Sequence, residues 1–300
     1  MLSDPNDTSH GRPVKRPVRA LAATLAVALF VAIAGPVQFL MLKLRASSAP
    51  ALPLLFHRLA LRAIGMRVTV IGAPSAARPL LITPNHSSWI DILAFGSLMP
   101  LSFVAKSEIA TWPVFGWMST LQRTIFVDRS RKTATAAVNR EMAERMASGE
   151  PVVLFAEGTS SDGNRVLPFR SALLGATQGA ILSTGGGSMA VQPASIAYLR
   201  RNGLPLGRGG RPFVAWYGDM EFASHLWSIL TNGAIDVVIT FGDTVTADAT
   251  TDRKRLARDL ERESRRMTAD ALRGRAAAPR QVKLPDEQPA PVAEPQASPA

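Results

Sequence analysis

The amino-acid sequence points to an α/β domain: a mixed central sheet flanked by helices, preceded by a long hydrophobic helix. Three observations lead there. From Met66 to Val245 short β-rich runs alternate with helical stretches, the pattern of a layered α/β domain. Ahead of that region, Ala20–Leu42 is 23 residues without a charge. Across 300 residues, 47% are hydrophobic and 19% charged, which suits a folded chain with a sizeable core.

In chain order, residues 1–19 form a polar leader in which Arg12, Lys15, Arg16 and Arg19 outweigh Asp4 and Asp7. Residues 20–45 are expected to anchor the chain in a membrane. As a helix, the uncharged run would be about 35 Å long, enough for a hydrocarbon core of roughly 30 Å. Basic residues bracket both ends, so the positive-inside rule assigns no orientation. Pro36 permits a bend into a re-entrant or interface-lying anchor. A cleaved signal peptide fits poorly, because its leader would be long and the run exceeds a usual apolar core. A buried helix of a soluble domain is the competing reading.

Strands are expected at Met66–Ile71, Pro79–Ile82, Ser102–Val104, Ile125–Val127, Pro151–Phe155, Ala190–Ala197, Phe213–Trp216 and Ile235–Phe241. Helices are expected at Trp89–Leu98, Val114–Leu121, Lys132–Ser148, Ser171–Ser183 and Glu221–Leu230. Thr251–Arg273 reads as a last, charged helix with opposite charges at helical spacing. Residues 46–275 thus form one domain, and 276–300 a Pro-rich flexible tail.

With no cysteine, the chain has no disulfide, thiolate nucleophile or Cys-based metal site. A net charge of +11 calls for an anionic partner: nucleic acid, membrane surface, acidic protein or phosphorylated substrate. Arg208-Gly209-Gly210-Arg211 and the basic last helix would suit nucleic acid. Against that, aromatics make up 6% of the chain and no stacking platform is evident. Arg208–Arg211 reads more simply as a loop between two strands.

Of four histidines, His10 lies in the leader, while His57 and His225 sit singly among apolar or aromatic neighbours. His86 differs. It follows a short strand closed by Thr83-Pro84-Asn85 and precedes Ser87-Ser88, suited to capping a helix from Trp89. Catalytic groups favour this place, after a strand and before a helix. Asp91, five residues on, would fall on another face within one helix, about 140° away. With His86 in the loop and Asp91 in the first turn, the two converge. The carboxylate then orients the imidazole as a general base. A plain turn with a capping aspartate is the alternative for this pair alone.

A second strand end runs into Phe155-Ala156-Glu157-Gly158-Thr159-Ser160, where amides near Gly158 and Thr159 are placed to meet an anion or developing oxyanion. A third, Phe126-Val127-Asp128-Arg129, delivers an arginine. Together Asn85-His86-x4-Asp91, Phe126-x-Asp128-Arg129, Phe155-Ala156-Glu157-Gly158-Thr159 and Val191-Gln192-Pro193 resemble, in order, the four blocks of the glycerolipid (lysophospholipid) acyltransferase family. The resemblance covers roughly Pro79 to Pro193.

That resemblance implies acyl transfer from an acyl carrier protein or coenzyme A thioester to the hydroxyl of a lysolipid. His86 would be the general base and Asp91 its orienting partner. Substrate would be bound by Asn85, Arg129, Glu157, Gly158, Thr159, Ser160, Arg165 and Pro193, with Pro193 shaping a pocket wall. The third family block usually reads Phe-Pro-Glu-Gly-Thr-Arg-Ser, but Ala156 replaces its proline and Ser160 its arginine. Losing that guanidinium removes a fork suited to phosphate. The run Glu157 to Arg170 is similar to the lyso-ornithine lipid acyltransferase branch, which esterifies a 3-hydroxyl on an acyl chain attached to ornithine. Lyso-ornithine lipid is therefore the favoured acceptor and lysophosphatidic acid the alternative. Arg165 and Arg170 remain able to meet another anion, such as a carboxylate.

Direct attack is expected, since there is no cysteine and no Gly-x-Ser-x-Gly elbow. No P-loop, dinucleotide fingerprint or His-Glu-x-x-His occurs, so no cofactor and no metal are expected. The expected partners are the acyl donor, the lysolipid and a membrane, with no nucleic acid. The expected location is a bacterial inner membrane, active site facing the cytoplasm.

Overall fold

The computed structural model describes residues 16–127, 132–183 and 187–275. Two helices come first, α1 (Pro17–Lys43) and α2 (Ala51–Ile64). The domain continues through β1 (Met66–Ile71), β2 (Leu80–Thr83), α3 (Ile90–Gly96), β3 (Ser102–Lys106), α4 (Phe115–Leu121), β4 (Ile125–Val127), α5 (Lys132–Ala147) and β5 (Val152–Val153). It closes with α6 (Gly175–Ser183), β6 (Met189–Arg201), β7 (Leu204–Pro205), α7 (Gly207–Gly210), α8 (Phe222–Thr231), β8 (Ile235–Phe241), β9 (Val245–Ala247) and α9 (Arg253–Leu272).

The strands form one mixed sheet in the order β1-β8-β6-β2-β5-β3-β4, with β7 and β9 also on β6. Parallel pairing joins β2, β5, β3 and β4, and again β1 and β8. β6 links the two parts. Its residues Ala190–Pro193 run parallel to β2, and Ala194–Arg201 pair antiparallel with β8.

Period-two alternation distributes the strand residues between two cores. Leu80 and Ile82 face one layer with α2, α3 and α8, while Leu81 faces the other with α5, α6 and α9. Every residue of β2 is buried, which is why this strand reads as an unbroken apolar run. Deleting most of such a side chain, as in Leu81→Ala, costs about 2–5 kcal/mol.

Helix α1 lies outside the first layer and docks at both ends. The Arg16 amide donates to the Thr231 carbonyl at 3.1 Å, and Gln38 Nε2 donates to the Leu121 carbonyl at 3.0 Å. Gly35 lets Trp117 press onto the backbone: a Cβ there would lie 2.1 Å from the indole ring. The opposite stripe, Val18, Leu21, Leu25, Leu29, Ile33 and Val37, is exposed.

Three local expectations are corrected. Phe213–Trp216 is not a strand: Arg211–Phe213 is a 3₁₀ turn, and Val214 and Ala215 donate back to the Arg211 carbonyl. Pro212 brings no N–H to a ladder. Arg208–Arg211 is a short helical turn rather than an open loop. Ser171–Ser183 is split into a 3₁₀ turn, Ser171–Leu174, and α6. Helix α2, which sequence patterning left unassigned, reverses the chain beneath α1.

Candidate active site

The loop after β2 carries His86 and the first turn of α3 carries Asp91, so a chain reversal brings them together. His86 Nδ1 lies 2.8 Å from Asp91 Oδ2. Asp91 is fully buried, and its Oδ2 also accepts the amides of Ser87 at 2.7 Å and Ser88 at 3.0 Å. Tyr198 on β6 donates its hydroxyl to Asp91 Oδ1 at 2.5 Å. A buried carboxylate survives only with such a complete set of donors. Burial, with the charge of Asp91 and the bond to it, raises the Tyr198 pKa well above the usual phenol value and keeps it a donor.

With Asp91 on Nδ1, the proton belongs on that nitrogen and Nε2 keeps its lone pair. The imidazole side chain is 19% exposed and stacks on Phe155 at 4.0 Å between centroids. One face is thus supported and Nε2 is left to accept a proton from a bound hydroxyl.

Glu157 sits directly behind this loop. Its Oε1 accepts the His86 amide at 2.9 Å and the side chain is 1% exposed. Burial pushes its pKa up to about 8; the amides of His86 and Leu167 oppose the rise, and the charge of Asp91 adds to it. Glu157 therefore supports the loop that carries His86 from inside. Gly158 turns the chain at φ +73°, and its amide is spent on the Phe155 carbonyl at 3.0 Å. A Cβ there would approach the Arg170 side chain at 3.1 Å. Thr159 is exposed at the rim.

Asn85 lies next to His86 in the same loop. Its Oδ1 accepts the Ile196 amide at 2.8 Å and its Nδ2 donates to the Ile196 carbonyl at 3.0 Å, all of it buried. These bonds tie the loop to β6. Pro193 is buried in β6 where that strand changes partners, its carbonyl accepting the Gly242 amide at 2.9 Å. It marks the point where β6 passes from parallel pairing with β2 to antiparallel pairing with β8. Ser160 Oγ donates to the Trp216 carbonyl at 2.5 Å, and Trp216 N–H donates to the Ser87 carbonyl at 2.8 Å. Arg165 is exposed. Arg129 lies outside the described residues.

The site borders an aromatic cluster. Phe222 packs edge-on against Trp89, Trp112, Phe115 and Trp216. Trp89 Nε1 donates to His225 Nδ1 at 3.0 Å, leaving His225 Nε2 to donate to the Phe213 carbonyl at 3.2 Å. Burial lowers the His225 pKa, which suits this neutral tautomer. Burial also lowers His57, to about 4.

Sequence reasoning missed Tyr198. It stands 107 residues from Asp91, and only its place on an apolar strand, with a hydroxyl needing a partner, hinted at a buried acceptor.

Comparison with known proteins agrees with this geometry. A family model described as Acyltransferase matches residues 67–197. A lyso-ornithine lipid O-acyltransferase of Brucella abortus (strain 2308) is 47% identical over 84% of this chain and 95% of its own length. The chain belongs to the acyltransferase family. Another acyltransferase relative, a lyso-ornithine lipid O-acyltransferase of Rhizobium meliloti (strain 1021), is 40% identical over 86% of this chain and 89% of its own. A 1-acyl-sn-glycerol-3-phosphate acyltransferase of Neisseria gonorrhoeae is 33% identical over 67% and 74%. The crystal structure of the 1-acyl-sn-glycerophosphate (LPA) acyltransferase PlsC from Thermotoga maritima shares the fold. Its TM-score is 0.56, with 20% identity over 85% of this chain and 96% of that one.

Proposed function

We propose that this acyltransferase esterifies the free hydroxyl of a lysolipid at a membrane surface, with lyso-ornithine lipid as its acceptor. The observation that carries the chemistry is the 2.8 Å contact between His86 Nδ1 and buried Asp91, which leaves Nε2 as the base. Nε2 takes the acceptor's hydroxyl proton as the oxygen attacks the thioester carbonyl of an acyl carrier protein or coenzyme A donor. The tetrahedral oxyanion collapses, the C–S bond breaks, and the thiolate takes the proton back from the imidazolium. General-base help of this kind is worth about 10²–10⁴ in rate. The Gly158 amide bonds the Phe155 carbonyl, so the oxyanion donors of that loop are sought in the amides that follow it, from Thr159 on.

The acceptor choice rests on relatives of 47% and 40% identity that carry this name, and on Ser160, whose hydroxyl closes onto Trp216 where a phosphate-binding arginine would stand. The Neisseria relative favours lysophosphatidic acid as the second reading.

Residues 20–45 serve as the anchor, between the leader 1–19 and a catalytic domain of 46–275, with 276–300 as a tail. Among the described residues, α1 alone is long and apolar enough to cross a membrane. Its contacts at Arg16 and Gln38 lie roughly 33 Å apart along the helix. A helix held against the domain over that length fits an anchor lying along the surface of one leaflet better than a free span. Val114, Phe115, Trp117 and Trp227 are exposed beside it and extend the apolar face toward the aromatic cluster at the site. The surface concerned is that of a bacterial inner membrane, from the cytoplasmic side.

The test is purified enzyme in mixed micelles, supplied with labelled acyl thioester and either lyso-ornithine lipid or lysophosphatidic acid. Higher kcat/KM on lyso-ornithine lipid is expected. A preference for lysophosphatidic acid overturns the acceptor, and transfer to neither overturns the activity.

A further inference from the structure

The Arg208-Gly209-Gly210-Arg211 turn lies directly over the loop that follows Glu157. Asn164 joins them: Nδ2 donates to the Arg208 carbonyl at 3.1 Å and to Asp162 Oδ2 at 3.2 Å, and Oδ1 accepts Arg211 Nη1 at 2.8 Å. Asp162 Oδ1 accepts the Asn164 amide at 3.1 Å. Gly163, at φ +77°, is the point of close approach, with the Arg211 Cβ 3.5 Å from where its own Cβ would be.

This charged cluster is registered to the catalytic loop from both sides. The Ser161 amide donates to the His86 carbonyl at 2.9 Å, and Asp162 is the next residue. On the other strand of chain, Trp216 holds Ser87 and Ser160. The cluster is therefore hydrogen-bonded into the loop that carries His86.

No ion pair closes the cluster among the described residues: Arg165, Arg208 and Arg211 form no salt bridge, and Arg211 Nε is buried without a hydrogen-bond partner. Burial and the neighbouring charge of Arg208 lower the Arg211 pKa, and the charge of Asp162 opposes the fall. Asp162 is half-buried; burial works against its charge, yet Asn164 and Arg165 hold its pKa below the ordinary carboxylate value. The Arg211 guanidinium and the Asp162 carboxylate thus meet on one Asn164 side chain, with the charge of Arg208 close by.

We propose that this cluster is the subsite for the acceptor's head group and that it reads a zwitterion: Arg211 and Arg208 take a carboxylate while Asp162 takes an ammonium. The assignment rests on the acceptor proposed above. An ornithine acylated on one amine keeps one carboxylate and one ammonium. With the reacting hydroxyl on the third carbon of the attached chain, those charges lie roughly 6–10 Å beyond the attacked oxygen, from ordinary bond lengths. A phosphate monoester has no cation to offer Asp162, and that carboxylate repels it. The subsite selects by adding a repulsive element against the wrong head group as well as an attractive one for the right one.

The experiment compares kcat/KM of the full-length enzyme in mixed micelles on three acceptors: lyso-ornithine lipid, the same lipid with its free amine acetylated, and lysophosphatidic acid. The wild type is expected to prefer the free amine over the acetylated form. Asp162→Asn is expected to shrink that ratio about tenfold, mainly through KM, the worth of one charge-assisted contact. It is also expected to shift the ratio of lysophosphatidic acid to lyso-ornithine lipid upward. Arg211→Gln is expected to raise KM for both ornithine lipids together, with Arg211→Lys recovering part of the loss. The Asp162→Asn readouts are ratios between acceptors on one preparation and the Arg211→Gln readout is a KM, so a drop in folded enzyme cannot imitate either. Unchanged ratios in Asp162→Asn overturn the subsite while the acceptor reading stands. A wild type that ignores lyso-ornithine lipid overturns the acceptor reading before any variant is made.

Discussion

Glu157→Gln separates a structural glutamate from a substrate-binding one. The wild-type carboxyl is 1% exposed, and its pKa rises from the ordinary 4.5 to about 8 because burial disfavours the charge. A folded-state pKa above the unfolded value means that the native state holds the proton more tightly. The stability contribution is therefore complete below pH 4.5 and is lost as pH rises toward 8. Each pH unit in that window removes up to about 1.4 kcal/mol, and the whole interval of order 4–5 kcal/mol. Glutamine imitates the protonated acid, keeps an oxygen for the His86 amide and does not titrate. Denaturant unfolding in micelles, followed by tryptophan fluorescence at half-unit steps from pH 5 to 9, should show a steep decline in the wild type and a flatter line in the variant. Acyl transfer at pH 7 should stay within several-fold of wild type. Parallel stability profiles would show that Glu157 is not buried as a neutral acid. A folded but inactive Glu157→Gln would return the carboxylate to the substrate.

His86→Ala and Asp91→Asn should each lower kcat by about 10²–10⁴ with little change in KM, measured by labelled acyl transfer; full activity in both would sink the dyad. Tyr198→Phe leaves Asp91 Oδ1 buried without its 2.5 Å donor, and should cost about 1–3 kcal/mol of stability together with a fall in kcat, read by denaturant midpoint and initial rates. Leu29→Asp combined with Ile33→Asp places charge on the exposed apolar stripe of α1, and should weaken vesicle binding in flotation at least tenfold; equal flotation would move the membrane contact elsewhere.

The histidine and its aspartate were legible because the whole device is local: six residues, a strand end and a helix start. The α/β alternation was legible for a similar reason, since apolar period and turn residues are written residue by residue. Tyr198 and Asn85 were not, because their roles depend on β6 crossing behind the loop, a contact more than a hundred residues away in sequence. The resemblance implies substrate contacts for Asn85 and Glu157; that Asn85 bonds the backbone of Ile196 and that Glu157 lies buried behind the loop follow from packing between distant strand ends, which no local pattern records. Phe213–Trp216 had the composition of a strand, yet Pro212 and the glycines before it set a turn. The basic residues of Arg208–Arg211, read as a possible nucleic-acid signal, belong to a turn facing the catalytic loop.

The bond from His86 Nδ1 to Asp91, with the direct attack proposed above, has a consequence for kinetic order. On that mechanism Nε2 first receives the acceptor's proton and then returns it to the departing thiol, with no covalent enzyme form to store the acyl group between visits. Donor and acceptor have to be seated together, so double-reciprocal plots at several fixed acceptor levels should intersect rather than run parallel. The dyad is made from residues of one short loop and its helix, so on this mechanism a donor bound alone meets water as a substitute alcohol. A slow release of free fatty acid when acceptor is withheld, abolished in His86→Ala, would be the leak that such a ready-made base implies.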